Sequence, residues 1–189
     1  MIHLSWNCQG LGKPLTVKHL REITHFPSSA YYFLSETHQH SHYVDKVRKQ
    51  FGYIHGFNVD PIGKAVWLSL WWKPDVAVDV LLDSKFFIDT LVTCRNTGEK
   101  FRVTWMYGPP YFSDKAAFWD SWKDQLWNDS TPWLVIGDLN ELLWSFEKDG
   151  GAPWNSLRNR YLKAFIYSNG LIDIGFKGSS FTWYKKEFG

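Results

Sequence analysis

Short apolar segments, alternating between strand and helix periodicity, constrain the fold of this chain most. Strands are predicted for "IHLSWNC", "YYFLSE", "AVWLSLWW", "VAVDVLL", "KFRVTWMYG" and "WLVIGD", which are short and rich in β-branched and aromatic residues. Four helices are predicted over about 14–26, 43–51, 113–126 and 155–170, where apolar residues recur at helical spacing. Several strands follow one another directly, which favours a mixed α/β layered sheet protein over a strictly parallel βαβ array.

Length and charge narrow the class of protein further. The chain has 189 residues, of which 44% are hydrophobic, and it contains no repeat or linker, so we expect one domain over residues 1–189. The most apolar run, residues 65–72, is far shorter than the roughly 18 residues of a membrane span, which predicts a soluble chain without a membrane partner. The net charge of +2 argues against histone-like binding of polyanions.

Basic clusters and aromatic residues leave two interpretations open. Arg158, Arg160 and Lys163 form one cluster, and each such cluster either contacts a polyanion or is simply solvated. The 12 Trp residues suit an aromatic core or a surface that stacks bases or sugars. Composition alone does not separate these possibilities.

Three alternating histidines, His38, His40 and His42, suggest a zinc site at first sight. They follow a predicted strand and precede a predicted helix, so they are not expected to share one face. Neither paired cysteines nor an HExxH stretch accompanies them. We therefore interpret them as loop residues and turn to the preceding Glu36.

Polar residues close four of the apolar strands. Asn7 closes the first, Glu36 closes "YYFLSE", Tyr107 closes "FRVTWMY", and Asp138 with Asn140 follows "WLVI". Strand ends hold side chains at fixed positions facing a cleft, and carboxylate and amide oxygens are ligands that Mg²⁺ accepts. In an extended segment Asp138 and Asn140 would point to the same side. Turn chemistry alone could also explain each residue singly.

Five sequence motifs, in this order and at comparable distances, resemble the motifs of one family. "LSWNCQGLG", "LSETH", "YGPP", "VIGDLNELLWSFEKDGG" and "GLIDIGFKGSSFTWYKK" together span most of the chain. They are similar to the endonuclease/exonuclease/phosphatase superfamily, and particularly to the N-terminal endonuclease domain of plant LINE-type (non-LTR) retrotransposon polyproteins.

The resemblance implies a four-layered α/β sandwich, with two packed mixed sheets flanked by helices, and Mg²⁺-dependent (or Mn²⁺-dependent) cleavage of DNA. Glu36 would bind the metal directly, with Asn7 helping to hold a ligand or the phosphate. Asp138 would align or deprotonate the attacking water, Asn140 would orient it, and Tyr107 would contact the phosphate or leaving group. Trp183 would match the family's aromatic residue near the cleft floor, where it would contact nucleic acid, although core packing is an equal alternative.

The family's domain continues beyond the last of these motifs. An Arg-x-Leu-Asp segment, a Ser-Asp-His motif and further strands follow in the family, whereas this sequence ends at Gly189. We therefore expect a domain that is incomplete at its C-terminus and an activity that this loss would weaken or abolish.

Two other functions stay open at this point. One is a phosphatase of the same superfamily, since the metal core is shared and loops select the substrate. The other is a binding module that holds nucleic acid without cutting it. DNA is the expected partner, and a reverse transcriptase domain is one only in a longer polyprotein; no other partner protein is indicated. We expect an intracellular chain, with a nuclear location if it acts on DNA.

Overall fold

The computed structural model describes residues 2–24, 29–60, 68–122 and 130–182. The chain divides into two compact units. The first unit comprises Met1–Gly108 and Asp129–Leu139, and the second comprises Pro109–Asn128 and Asn140–Gly189.

The first unit contains two four-stranded sheets. Sheet A consists of β1 (Ile2–Asn7), β2 (Ser29–Ser35), β3 (His55–Val59) and β4 (Leu68–Trp72), in the spatial order β1-β2-β4-β3. Sheet B consists of β5 (Val76–Ser84), β6 (Phe87–Cys94), β7 (Lys100–Tyr107) and β8 (Trp133–Asp138), in the order β5-β6-β7-β8. The β1–β2 and β7–β8 pairs are parallel and the others are antiparallel, so both sheets are mixed as predicted.

Strand β2 is apolar almost throughout because side chains on both of its faces are buried. Tyr31 and Phe33 pack into the core between the two sheets, while Tyr32 and Leu34 pack against the helices α1 (Pro14–Thr24) and α2 (Ser41–Gln50). Successive side chains of a strand point to opposite faces, and both faces of β2 are covered. The predicted α/β sandwich of two packed sheets with helices is thereby confirmed.

Two strands were not predicted from the sequence. The first, β3, carries Gly56 and Asn58, which weaken the strand pattern. The second, β6, places Asp89 in its middle, where the carboxylate is 1% exposed and forms a 2.8 Å ion pair with Arg102 on β7. A buried acid is accepted there because the partner strand supplies its counter-charge.

The second unit contains two α-helices and a short 3₁₀ turn at Ser145–Glu147. Helix α3 (Phe112–Asp120) and helix α4 (Arg160–Ser168) share an aromatic core in which the Trp119 and Phe165 rings lie 4.8 Å apart. Both helix starts differ from the predicted starts at about residues 113 and 155. Tyr111 is the N-cap of α3, so Ser113 and Asp114 lie inside its first turn, and α4 starts after Asn159.

No helix in the four described ranges is long and apolar enough to cross a membrane.

Candidate active site

The candidate site lies in the first unit, and its first two residues are placed by the parallel pairing of β1 and β2. Asn7 is in register with Ser35, directly before Glu36. The pairing continues beyond both strands, because the Gly10 amide donates to the Glu36 carbonyl at 2.8 Å and the Leu11 amide donates to the Thr37 carbonyl at 2.8 Å. Carboxyl ends of parallel neighbours share one edge of a sheet, so Asn7 and Glu36 lie together.

The other two residues are placed in the same way by β7 and β8. Tyr107 is in register with Asp138, and the Gly108 amide donates to the Asp138 carbonyl at 2.8 Å. Gly137 has φ +146°, and a Cβ added there would lie 1.8 Å from the Met106 carbonyl oxygen. Only glycine permits this approach, which brings the Asp138 end of β8 against β7.

Side-chain hydrogen bonds connect the two pairs across the two sheets. The Asn7 Nδ2 group donates to Glu36 Oε1 at 2.9 Å and to Asp138 Oδ2 at 3.3 Å. The Tyr107 hydroxyl donates to Glu36 Oε1 at 2.6 Å. Two carboxylates near each other repel, and the shared amide and the hydroxyl offset part of that repulsion. The structure therefore brings together four of the predicted site residues.

Left-handed backbone is concentrated in the loops that follow β1 and β2. Gln9 has φ 46°, Glu36 has φ 53° and His38 has φ 50°, and none of them is glycine. Non-glycine residues rarely adopt this conformation, which costs about 1–2 kcal/mol for each residue. Such strain is common at functional sites, where the surrounding structure maintains it. Here the loop-to-loop hydrogen bonds are the feature that maintains it.

The donor atoms of the site suit a hard divalent cation. Glu36 and Asp138 supply carboxylate oxygens, and Asn7 Oδ1, which accepts from the Gln9 amide at 3.3 Å, supplies a carbonyl oxygen. Mg²⁺ is commonly bound by one or two carboxylates, with water and phosphate completing its shell. Among the residues described, no group of three or more His, Cys, Asp or Glu side chains could enclose a metal, so a zinc cage is not formed by them.

Cys8 follows Asn7 directly but does not suit the metal. Its Sγ donates to the Ser35 carbonyl at 3.3 Å, and burial raises the pKa of the thiol to about 12. A thiol binds a metal as the thiolate, so Cys8 at neutral pH is a neutral packing group.

His38 is the residue of this site that the sequence interpretation missed. Its Nε2 lies 3.7 Å from Glu36 Oε2. The sequence "SETH" shows only that the two residues are two positions apart, and the left-handed backbone of Glu36 and His38 is visible only in the structure. A depression of about 470 Å³ next to it is lined by His38 together with Gln9, Lys13 and four further residues.

The three histidines lie in different local structures. His40 is the N-cap of α2 and His42 lies in the first turn of that helix, so the expectation that all three are loop residues is wrong for His42. The His40 and His42 rings stack with their centres 6.1 Å apart, whereas His38 Nε2 lies near the Glu36 carboxylate.

Asn140 begins the second unit, and its backbone differs from the expected extended form. Strand β8 ends at Asp138, and Asn140 has φ 51°. The extended arrangement that would point Asp138 and Asn140 to one side is therefore absent. The Asn140 carbonyl accepts a hydrogen bond from Lys115 Nζ.

Glu141 follows Asn140 and is buried within the second unit. The Trp119 Nε1 group donates to Glu141 Oε2 at 2.6 Å, and Lys115 Nζ lies 3.8 Å from Oε1. Burial raises the pKa of Glu141, and the lysine charge opposes that shift. These contacts fix the backbone that carries Asn140. Trp183, the remaining predicted residue, lies outside the described residues.

Comparisons with known proteins identify the fold. No family model matches the chain, and no curated protein matches it either. Among solved structures, the 3′ phosphatase NExo from Neisseria, bound to a product DNA hairpin, has a TM-score of 0.62 and 14% identity, covering 87% of this chain and 70% of that chain.

Two further structures show the same fold. A humanized D. rerio TDP2 has a TM-score of 0.54 and 14% identity, covering 91% of this chain and 72% of that one. The human Nocturnin catalytic domain, with bound sulfate, has a TM-score of 0.52 and 15% identity. That match covers 74% of this chain and 65% of the Nocturnin chain, slightly less than two thirds.

The chain therefore shares the fold of these three proteins. The closer likeness to retrotransposon endonucleases stays a prediction from the sequence.

Proposed function

We propose that residues 1–189 belong to one endonuclease/exonuclease/phosphatase domain that hydrolyses phosphodiester bonds in DNA with Mg²⁺ or Mn²⁺. The observation that carries the proposal is the Asn7 amide, which contacts the Glu36 and Asp138 carboxylates from two different sheets. The three neighbouring structures support a nuclease or phosphatase, and the NExo structure contains a DNA product.

Each residue of the site has a distinct role in this proposal. Glu36 binds the cation directly, and Asn7 holds the Glu36 carboxylate while its Oδ1 offers a further oxygen ligand or a contact to the phosphate. Asp138 accepts a hydrogen bond from the attacking water and removes its proton. A bound cation would stabilise the negative charge that develops on the phosphoryl oxygens.

In this proposal Tyr107 and Asn140 orient other groups of the site. The Tyr107 hydroxyl donates to Glu36 Oε1 at 2.6 Å and so orients this carboxylate. To contact the phosphate or the leaving group directly, the hydroxyl would have to rotate away from Glu36. Asn140 orients the water and the phosphate, and Trp183 contacts the nucleic acid.

Nicking of supercoiled plasmid tests the proposal. We expect wild-type protein to nick in Mg²⁺ or Mn²⁺ and not in EDTA. Glu36→Gln and Asp138→Asn should each slow nicking by at least about a hundredfold. Glu22→Gln removes a charge from an exposed carboxylate on α1 and should leave the rate unchanged.

The same samples distinguish the two alternatives. Metal-dependent release of phosphate from inositol phosphates without nicking would favour a phosphatase. DNA binding in EDTA, from folded protein that cuts neither substrate, would favour a binding module. Nicking that persists in both Glu36→Gln and Asp138→Asn would contradict the assigned site.

A further inference from the structure

The second unit carries an unusual arrangement of a lysine between two tryptophans. Lys163 Nζ, on α4, lies 5.2 Å from the centre of the Trp144 ring and 5.6 Å from the centre of the Trp154 ring. Trp144 is 45% exposed and Trp154 is partly exposed, so neither indole is sequestered in a core. A cation over an indole face is favourable, and the arrangement holds both rings at the surface.

The outer face of α4 extends this cation and aromatic surface. Arg160, Lys163 and Tyr167 have spacings of three and four, which places them on one side of the helix. Leu162 and Phe165 are buried on the opposite side. Tyr167 is 90% exposed, although a tyrosine ring usually contributes to packing.

Charge distinguishes this surface from an ordinary apolar patch. Between Asp149 and Asp173 the sequence contains Arg158, Arg160 and Lys163 but no acidic residue. Arg158 lies 5.8 Å over the Phe112 ring and Arg160 lies 4.6 Å over the Tyr161 ring. An apolar protein partner would leave these cations poorly hydrated, whereas a polyanion with planar rings would satisfy both the charges and the aromatic faces.

We propose that this surface, formed by Trp144, Trp154, Arg160, Lys163 and Tyr167, binds single-stranded nucleic acid. Unpaired bases stack on the aromatic side chains while phosphates contact Arg160 and Lys163, the combination that single-strand-binding surfaces use. Bases of a duplex are stacked on each other and do not offer their faces. None of these five residues belongs to the proposed metal site, and the binding does not depend on the proposed hydrolysis.

Fluorescence anisotropy with labelled oligonucleotides tests this assignment on the full chain in EDTA. The probes are a 20-nucleotide mixed DNA strand, the RNA of the same sequence and the corresponding duplex. We expect both single strands to bind more tightly than the duplex. Tighter binding of the RNA strand would indicate that the natural ligand is RNA. Equal affinity for both strands would indicate that the surface recognises the bases and phosphates that RNA and DNA share. Tighter binding of the duplex would overturn the proposal.

Variants separate the contribution of base stacking to affinity from the contribution of charge. Trp144→Ala with Trp154→Ala should weaken single-strand binding by about tenfold or more. Lys163→Gln should reduce the slope of log affinity against log salt by about 0.7, since one phosphate contact is lost, and Lys163→Arg should restore it. Circular dichroism and thermal melting would show that each variant is folded, and Trp144→Phe with Trp154→Phe keeps stacking if the alanine variant unfolds.

Matched controls complete the design. Phe176→Ala removes an aromatic ring that is 67% exposed in the same unit, and Lys18→Gln removes a lysine charge on α1. Neither should change affinity by more than about twofold. The proposal would be overturned if the tryptophan variant and Phe176→Ala lost equal affinity. It would also be overturned if binding were unchanged in both the tryptophan variant and Lys163→Gln. Glu36→Gln should bind normally even where nicking is lost, so failure of the hydrolytic proposal would be recognised separately.

Discussion

The two units of this protein differ in how far they bury their large aromatic residues. In the first unit, Tyr31, Phe33 and Trp105 are fully buried between two sheets. In the second unit, Phe146 and Tyr167 are 69% and 90% exposed, and segment 171–182 contains neither helix nor strand. A sheet sandwich encloses large side chains on two faces, whereas a pair of nine-residue helices encloses only one small cluster.

The difference matters for the chemistry that each unit can support. Asn7, Glu36, Tyr107 and Asp138 are positioned by the ends of strands whose pairing is fixed over many residues. Side chains on such a scaffold can be held within the tolerance that catalysis requires. The exposed rings of the second unit suit binding, which tolerates looser geometry.

Hydrogen exchange offers the largest contrast between the units. We expect the amides of β6 and β7, which lie inside sheet B, to be protected by several orders of magnitude relative to segment 171–182. Mass spectrometry of peptides from both regions, after exchange for seconds to hours, would measure this. Similar protection in the two regions would show that the second unit is as tightly structured as the first.

Two glycines with positive φ provide a matched pair of substitutions. Gly137→Ala should destabilise the protein by about 3 kcal/mol or more, because its Cβ would lie 1.8 Å from the Met106 carbonyl oxygen. Gly175 has φ +70°, and no atom of the described residues lies within 4 Å of an added Cβ, so Gly175→Ala should cost only about 1 kcal/mol. Chemical denaturation would measure both. Equal effects would mean that backbone conformation alone decides the result and that the close approach of β7 and β8 contributes little.

The pH dependence of stability provides a smaller test, at a partly buried histidine of the first unit. His3 stacks on Tyr31 at 4.8 Å between ring centres, and burial, with a smaller contribution from the N-terminal charge, lowers the pKa of His3 to about 4. The unfolded chain then binds more protons between pH 6.5 and 4, so stability falls as the pH decreases through that window.

Replacing His3 by phenylalanine removes this contribution. The loss of stability between pH 7 and 4.5 should be smaller in His3→Phe than in wild type by about 1 kcal/mol, allowing for solvent screening. Denaturation midpoints at both pH values measure the difference. An identical loss in both proteins would show that His3 keeps an ordinary pKa.

The apolar patterns of most strands predicted a mixed α/β layered sheet protein, and the family resemblance implied the sandwich of two packed sheets. β6 escaped prediction, since Asp89 becomes acceptable only when Arg102 of the next strand is known to pair with it. Helix α3 begins at Phe112, before the two polar residues that resemble caps, because Tyr111 already has extended backbone geometry.

The site was predictable to the extent that strand ends define it. Five polar residues were predicted at strand ends, and side-chain hydrogen bonds connect four of them, Asn7, Glu36, Tyr107 and Asp138. What the sequence could not provide is the left-handed turn at Asn140 or the approach of His38 to Glu36, since both depend on backbone conformations that few non-glycine residues adopt.

The most direct test of the account is a measurement of Mn²⁺ binding by electron paramagnetic resonance, which counts free Mn²⁺ without requiring activity. We predict that the wild-type chain binds one Mn²⁺ that Mg²⁺ displaces, and that Glu36→Gln weakens this binding at least about tenfold. Glu22→Gln should bind as wild type does. Mn²⁺ binding that is unchanged in folded Glu36→Gln and Asp138→Asn proteins would contradict the claim that the strand ends of the first unit form a metal site.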